Sequence, residues 1–386
     1  MKSRLSWPTV IAGLLGAVFM IAMVAATVER WLSPSGSDLE DRFFEYASFR
    51  EGVYPNASIE PEYGEWKQRW SVYPPYAFPM LALIFEPGGF LQGRLLIQLL
   101  SYASLFVMGR YGFRTLSPHG RPLAILGAVL PLAVAGNITV IRTEQFSILC
   151  VGLIVLQMEL LDRGKPAAAA ACWTLAMIKP QIALPFAALF FLRRGVPAFC
   201  GAVATLVALS ALACRWTEVP VSAFVRFWLR GVSLRFLEEG SPVGPGGLAS
   251  IAGIDLRLAL ALAAAAALLV VAMVLFAVRR WNADQLLPTA AACAVAGMFM
   301  CYHRRYDNVM LFPAVLLAVE SAARSGRWLD RAIALALMAT LAAPVPMSLV
   351  RAAPVIQVVE GAIWLCAGIL PVVATIASRR RDQSLG

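Results

Sequence analysis

Residues 31–76 read WLSPSGSDLEDRFFEYASFREGVYPNASIEPEYGEWKQRWSVYPPY and hold eight of the 23 acidic residues of the chain. This polar stretch stands directly behind the first hydrophobic segment of an otherwise apolar sequence. Charged side chains are costly inside a bilayer, so a protein confined to the membrane would have no use for such a segment. Carboxylates at a membrane surface can instead transfer protons on substrates borne by lipids. The stretch therefore predicts a membrane protein with an acidic loop in water.

The composition of the 386-residue chain is that of an integral membrane protein. Apolar residues make up 60% and charged residues 15%, with a mean hydropathy of +0.71, whereas soluble domains are about a quarter charged. At about 20 apolar residues per span, the sequence predicts an all-α polytopic fold of about 12 transmembrane helices, within a range of roughly 10–13. The apolar runs lie near 8–28, 90–109, 122–137, 144–161, 166–178, 180–192, 197–214, 254–278, 286–302, 307–320, 332–350 and 354–378.

The positions of lysine and arginine predict the orientation of these spans. If the N-terminus is cytoplasmic and the spans alternate, the inner side holds 17 of the 33 cations but only six of the 23 acids, an excess of positive charge inside that agrees with the positive-inside rule. The two long loops, 29–89 and 215–253, then lie outside the cell. We therefore expect one multi-pass domain, 1–386, in the plasma (inner) membrane, with both termini cytoplasmic. The net charge of +10 reflects this topology, so it predicts no nucleic-acid partner.

The first loop, 29–89, is expected to contain amphipathic helices, and its clearest candidate covers 38–51. The apolar side of this helix should hold Phe43, Phe44, Ala47 and Phe49, with the acids facing solvent. Ser37 or Asp38 is the expected N-cap, and Gly52 should end the helix. The second loop, 215–253, combines arginines with aromatics before a Gly/Pro run. That pattern suits either a helix that faces lipid headgroups or an ordinary interfacial anchor.

Lys179 lies between two apolar runs that are each too short to form a full span. This arrangement predicts a hairpin that holds Lys179 at or below the outer interface. Broken helices of this kind occur where membrane proteins bind polar ligands. A lysine at the centre of a span costs about 2.5–3.5 kcal/mol on insertion scales, so its presence favours a functional role. Lys179 is therefore the leading candidate for binding a phosphate, and snorkelling to the interface is the alternative.

Two further polar clusters interrupt apolar segments. Arg142 and Gln145 form the first, with Glu144 as the expected ion-pair partner, and they could serve either structural pairing or donor binding. The other cluster consists of His303, Arg304 and Asp307. A histidine there could bind phosphate or hold a carboxylate.

Aromatic and cysteine residues add weaker indications. Tyr73 and Tyr76, close to Trp70, could stack on a sugar or belong to the aromatic belt that is common at membrane surfaces. The seven cysteines fall within or beside apolar runs, so neither a disulfide framework nor a metal site is predicted. We expect no cofactor. The sequence leaves the oligomeric state open.

Several of these motifs recur together in one known family. In chain order they are Ser37-Asp38-Leu39, Gly52-Val53-Tyr54, Tyr73-Pro74-Pro75, Glu144-Gln145-Phe146, Ile178-Lys179-Pro180 and His303-Arg304-Arg305-Tyr306-Asp307. Over most of the chain to about residue 320, this order resembles the GT-C class of polytopic glycosyltransferases. The resemblance is specifically to family 87, which includes polyprenol-phosphate-mannose-dependent mannosyltransferases. Glu144 stands where that family usually has glycine, a departure that bears on the local backbone and on donor preference.

The resemblance implies transfer of a hexose, with mannose favoured, from a polyprenyl-phosphate donor to a glycolipid or glycan at the extracytoplasmic face. The configuration at the anomeric carbon would invert by direct displacement. We expect the reaction to need no metal. Such a reaction needs a base for the acceptor hydroxyl and cations for the leaving phosphate. Asp38 is the candidate base, with Asp41 as its rival, unless Asp38 only caps its helix. The candidate donor-binding residues are Arg142, Gln145, Lys179, His303 and Arg304.

The main alternative function is a transporter or a flippase for lipid or polysaccharide. Such a protein would also be polytopic, with charges inside the membrane. It should however show internal repeats, and it would not need an acid-rich helical loop behind the first span. A catalytically inactive scaffold is disfavoured, because the polar clusters all fall on one predicted side of the membrane.

Overall fold

Every regular segment that the structure describes is helical. The computed structural model describes residues 7–32, 36–55, 71–193, 195–226, 286–300, 305–342 and 359–366, with scattered positions between 228 and 275. No strand occurs in these ranges. The expected all-α architecture is therefore confirmed for this part of the chain.

Most of the helices in the described ranges are joined by short connections, and longer segments follow Arg50 and Trp216. They are α1 Trp7–Leu32, α2 Asp38–Arg50, α3 Ala77–Phe85, α4 Gly89–Leu116, α5 Arg121–Val129, α6 Gly136–Thr143, α7 Ser147–Asp162, α8 Pro166–Ala176, α9 Pro180–Ala183, α10 Val196–Trp216, α11 Leu286–Met300, α12 Phe312–Ser325 and α13 Trp328–Ala342. Three 3-10 segments supplement them, at Ser117–His119, Leu184–Phe191 and Arg305–Leu311.

Four helical stretches within the described ranges are long and apolar enough to cross a membrane. They are Thr9–Leu32, Gly89–His119, Val196–Trp216 and Tyr306–Ser325. A fifth is present if α6 and α7, which meet at an angle of 114°, together form one span. The larger helix count expected from the sequence stays a prediction, since the runs near 254–278 and 354–378 lie largely outside the described residues.

Two apolar runs that the sequence suggested as single helices are broken. In the run 122–137, α5 ends at Val129 and α6 begins only at Gly136. Pro131, which has no N–H to donate, lies in the gap, and its carbonyl oxygen accepts a 2.6 Å hydrogen bond from Asn137 Nδ2. In the run 180–192, one α-helical turn is followed by a 3-10 segment.

Helix α2 begins and ends as the sequence predicted, and Phe49 is buried and Phe43 partly buried as expected, but its inward face also includes Arg42 and Glu45. Ser37 is its N-cap, with Oγ accepting a 3.0 Å hydrogen bond from the N–H of Glu40. Gly52, whose φ of +80° suits glycine, follows the helix end. The residues of α2 that are buried are Leu39, Arg42, Glu45, Tyr46 and Phe49. The expectation for Phe44 was wrong, since it is 60% exposed.

The buried face of α2 packs on α3. The rings of Phe49 and Phe78 stack with centroids 5.6 Å apart, and the Phe43 ring meets the edge of Phe85 at 5.3 Å. The first loop is therefore attached to the helical core through aromatic contacts, and the N-terminus of α2 is held against it. This attachment brings the acidic head of the loop close to the turn between α6 and α7.

Glycines allow α4 and α5 to approach to backbone contact. A Cβ built on Gly112 would stand 2.3 Å from the carbonyl oxygen of Gly127, and one on Gly109 would stand 2.6 Å from the carbonyl oxygen of Ala128. Small residues serve this purpose between membrane helices, where packing replaces the hydrophobic driving force. Helix α4 also packs on α7, where Gly152 faces Ser104.

We predict that Gly112→Ala destabilises the protein although alanine is the better helix former. The new methyl group would collide with backbone atoms, and overpacking of this kind costs about 1–3 kcal/mol. Gly201 is the matched control, because it lies inside α10 and a Cβ added there would have no atom within 4 Å. Thermal unfolding in detergent should show a lower Tm for Gly112→Ala and an unchanged or higher Tm for Gly201→Ala. Equal shifts would contradict the close approach.

Candidate functional site

The turn between α6 and α7 is the centre of the site. We call residues 144–147 the elbow. Glu144 ends α6 in the left-handed conformation, with φ 56° and ψ 44°, and α7 then leaves at 114° to α6. Each residue of the elbow makes a side-chain contact with a different part of the surrounding structure.

Gln145 connects the elbow to the first loop. Its Nε2 donates a hydrogen bond to Oδ2 of Asp38, the first residue of α2. Because Ser37 provides the side-chain cap of α2, capping does not account for the Asp38 carboxylate. Asp41 lies one turn further along and lines the same pocket, so both carboxylates border it.

Ser147 connects the elbow to a buried ion pair. Lys179 Nζ lies 2.8 Å from Asp307 Oδ1 and 2.8 Å from Ser147 Oγ. The Ser147 hydroxyl in turn donates to Asp307 Oδ1 at 2.6 Å. The lysine is 4% exposed and the aspartate 1%. Lys179 therefore points into the protein, and snorkelling does not describe it.

Arg42 is a site residue that the sequence reasoning missed. It is buried, lies 2.7 Å from Glu45 and places its guanidinium 4.6 Å from the centre of the Tyr73 ring. Burial alone would lower the pKa of Arg42, but the charge of Glu45, with Tyr73, Asp38 and Asp41 nearby, raises it. The helical spacing of position 42 to Leu39, Tyr46 and Phe49 was the available signal.

Of the two candidate tyrosines, only Tyr73 lines the pocket. Its ring packs edge-on against Phe146 of the elbow, with centroids 6.3 Å apart. Burial raises the pKa of its hydroxyl well above the ordinary value, against the opposing effect of Arg42. The hydroxyl thus stays neutral and able to donate a hydrogen bond even at alkaline pH. Tyr76 is partly buried against the hydrophobic core, where burial also raises its pKa.

The carboxylates of Asp38, Asp41 and Asp307 border an open pocket together with Arg42 and Lys179, and its empty volume is about 490 Å³ when the solvent at its mouth is included. Its lining residues are Asp38, Asp41, Arg42, Val72, Tyr73, Gln145, Lys179, Gln181, Tyr306 and Asp307. Gln181 and Tyr306 were not singled out from the sequence. The Tyr306 ring centre lies 5.0 Å from Lys179 Nζ. The pocket thus presents carboxylates and cations to the same small volume.

Arg142 lies outside this pocket, and its expected pairing with Glu144 is wrong. Its guanidinium is exposed and binds Glu29 at the end of α1, with nitrogen–oxygen distances of 2.8 and 3.1 Å. Positions two residues apart on a helix face different directions. Glu144 accordingly points inward, where Arg94 and Arg30 bind its carboxylate.

The third predicted cluster is described only in part. Asp307 lines the pocket, whereas His303 and Arg304 lie outside the described residues, so their proposed donor contacts stay predictions. Among the residues that the structure describes, no three His, Cys, Asp or Glu side chains are grouped as metal ligands. The expected independence of metal likewise stays a prediction.

The buried Lys179–Asp307 pair predicts how substitutions at these two positions change the stability of the protein. Lys179→Met leaves a buried carboxylate without its ammonium, which typically costs about 3–5 kcal/mol, whereas replacing both partners of a buried pair is often near neutral. We therefore expect Lys179→Met to lower the Tm in detergent more than the double variant Lys179→Met/Asp307→Leu does. A double variant less stable than the single one would contradict this account.

The sequence of this chain matches one known protein family. The sequence model of glycosyltransferase family 87 matches residues 71–302, which is more than half of the chain. The match includes the elbow and Lys179, while Asp38 and Asp307 lie beyond its two ends. No curated protein and no solved structure matches the chain. The chain belongs to glycosyltransferase family 87 and is a membrane-bound glycosyltransferase.

Proposed function

We propose that the protein transfers a hexose, mannose by preference, from a polyprenyl-phosphate donor to a hydroxyl group of a glycolipid or glycan. The reaction takes place at the extracytoplasmic face of the plasma membrane. One observation carries the proposal: Asp38 and Lys179 line the same open pocket. A carboxylate and an ammonium in one cavity are the two charges that displacement of a phosphate by an alcohol requires.

Asp38 acts as the general base. The acceptor oxygen attacks the anomeric carbon and passes its proton to the carboxylate, while the bond between that carbon and the phosphate oxygen breaks. The new glycosidic bond forms on the opposite face of the sugar, so the configuration inverts. The hydrogen bond from Gln145 Nε2 to Oδ2 leaves the other carboxylate oxygen, Oδ1, for the acceptor hydroxyl.

Lys179 and Arg42 meet the charge of the leaving phosphate. Both line the pocket, and cations fixed before the reaction stabilise developing negative charge without reorganisation. The guanidinium of Arg42 is held charged by neighbouring carboxylates. Arg42 therefore takes the role that the sequence suggested for Arg142, whose guanidinium is bound to Glu29 at the surface. His303 and Arg304 remain candidates for the same role.

The remaining polar groups of the pocket suit the sugar. Tyr73 keeps a neutral hydroxyl, because burial raises its pKa, and Gln181 offers an amide. Neutral donors and acceptors of this kind bind sugar hydroxyls without competing for the phosphate. Phe44 and Leu83, exposed on α2 and α3, offer apolar surface to the carrier lipid.

We predict that Asp38→Asn lowers kcat by about 10²- to 10⁴-fold, the usual contribution of a general base. The donor KM should change little, because the amide keeps the shape of the side chain. The measurement follows labelled sugar from mannosyl polyprenyl phosphate into lipid with purified protein. Asp41→Asn is the matched comparison from the same helix turn. Full activity of Asp38→Asn, together with loss in Asp41→Asn, would move the base to Asp41.

A second experiment separates sugar transfer from transport. A detergent micelle does not separate two aqueous compartments, so a flippase or transporter yields no product in it. A transferase yields glycosylated acceptor and free polyprenyl phosphate. We expect the purified wild type to form product in micelles, with mannosyl donor preferred to glucosyl donor. Movement of lipid-linked sugar across proteoliposomes without any product in micelles would contradict the proposed function.

A further inference from the structure

We infer that Glu144 is a positioning residue for sugar transfer: its buried carboxylate fixes the elbow and thereby holds Gln145 against Asp38. The inference rests on the proposed function, in which Asp38 is the base. Glu144 does not line the pocket, so it acts through its neighbours and touches no substrate.

The backbone at Glu144 requires an explanation. Its φ of 56° and ψ of 44° lie in the left-handed region, where a side chain crowds the backbone and glycine is the usual residue. A non-glycine residue persists in this conformation when surrounding contacts over-determine it. At Glu144 those contacts come from its own side chain.

The carboxylate of Glu144 lies in a buried cluster of charged and polar groups. Arg94 Nε is 2.7 Å from Oε1, and Arg30 Nε is 3.5 Å from Oε2. Gln98 Nε2 donates to Glu144 Oε1 at 3.4 Å, and the side-chain oxygen Oε1 of Gln98 accepts from Trp31 Nε1 at 2.7 Å. Glu144, Arg94, Arg30 and Gln98 are each less than 9% exposed. The carboxylate therefore joins α1, α4 and the elbow in a water-poor environment, where such contacts are strong.

This cluster controls both partners of the catalytic hydrogen bond. Arg30 and Trp31 stand at the end of α1, a few residues before Asp38 along the chain. Glu144 directly precedes Gln145, whose N–H donates to the Val140 carbonyl at 3.0 Å. The Glu144 carboxylate thus fixes the start of the first loop relative to the elbow, and with it the distance from the Gln145 amide to the Asp38 carboxylate.

The test compares Glu144→Gln with Glu29→Gln as a matched control. Both substitutions neutralise a carboxylate that joins α1 to the α6 region, but the pair of Glu29 with Arg142 is exposed. Misplacement of a reacting group by about 1 Å can cost 100-fold in rate. We therefore expect kcat of Glu144→Gln to fall at least about tenfold with the donor KM within about threefold, and Glu29→Gln to match the wild type.

A double-mutant cycle separates positioning from general stability. If Glu144 acts through Gln145, kcat of Glu144→Gln/Gln145→Ala should equal that of Gln145→Ala within about twofold, since coupled residues are non-additive. Glu144→Gln leaves two buried guanidiniums beside a neutral group and could prevent folding. In that case the double variant Glu144→Gln/Arg94→Gln replaces it in the measurement of kcat. It should fold and keep the reduced kcat. A wild-type kcat per folded molecule of Glu144→Gln would overturn the inference. So would losses of kcat from Glu144→Gln and Gln145→Ala that add fully in the double variant.

Hydrogen exchange provides a readout that does not depend on activity. Peptides covering residues 36–46 should exchange faster in Glu144→Gln than in the wild type, and at the wild-type rate in Glu29→Gln, because only the former releases Asp38 from Gln145. A wild type without transfer activity would refute the proposed function, and the exchange measurement would then decide the role of Glu144. Unchanged exchange in Glu144→Gln would refute the positioning role whatever the activity.

Discussion

The 114° bend between α6 and α7 is the constraint on which the rest of the site depends. Four consecutive residues make the contacts of the elbow. The Glu144 carboxylate binds Arg94, and the Gln145 amide donates to Asp38. The Phe146 ring packs against Tyr73, and the Ser147 hydroxyl contacts the Lys179–Asp307 pair. The bend ends α6 at Glu144 and starts α7 at Ser147, so that Gln145 and Ser147 reach Asp38 and the Lys179–Asp307 pair from consecutive turns of chain. The bend makes this convergence possible.

Charge balance inside the protein is the second organising element. Lys179 faces Asp307, Arg42 faces Glu45, and Glu144 faces two arginines. Buried charges are tolerated when they are paired and hydrogen-bonded, and they weaken the fold when a partner is lost. The pairs of Glu144 therefore tie the elbow to α1 and α4, and the Lys179–Asp307 pair ties two segments that lie 128 residues apart. In the proposed reaction, such pairing provides fixed cations for the donor phosphate inside a mostly apolar protein, without exposing them to lipid.

The sequence predicted the local features of the site and missed most of its tertiary ones. The start of α2 and a cap at Ser37 or Asp38 follow from short-range patterns, and the structure bears them out with Ser37 as the cap. The position of Lys179 between two short apolar runs is also a local pattern, but its pairing with Asp307 is not. The partners of Glu144 depend on which helices become neighbours, and no local pattern contains that information. The inward direction of Arg42 could have been predicted only from its helical spacing to Leu39, Tyr46 and Phe49. The acids of the loop illustrate the difference, since Glu45 is buried beside Arg42 although its surroundings suggested a solvated face.

The pairing of Lys179 with Asp307 across 128 residues of sequence has a consequence for biogenesis. The lysine emerges from the ribosome well before its aspartate, by roughly 6 to 26 s at usual rates of synthesis. During that interval the nascent chain holds an ammonium group in or near the bilayer without its eventual counter-ion. Insertion of the later helices is therefore coupled to completion of the site. The enzyme cannot assemble its centre from an N-terminal fragment, however well that fragment enters the membrane.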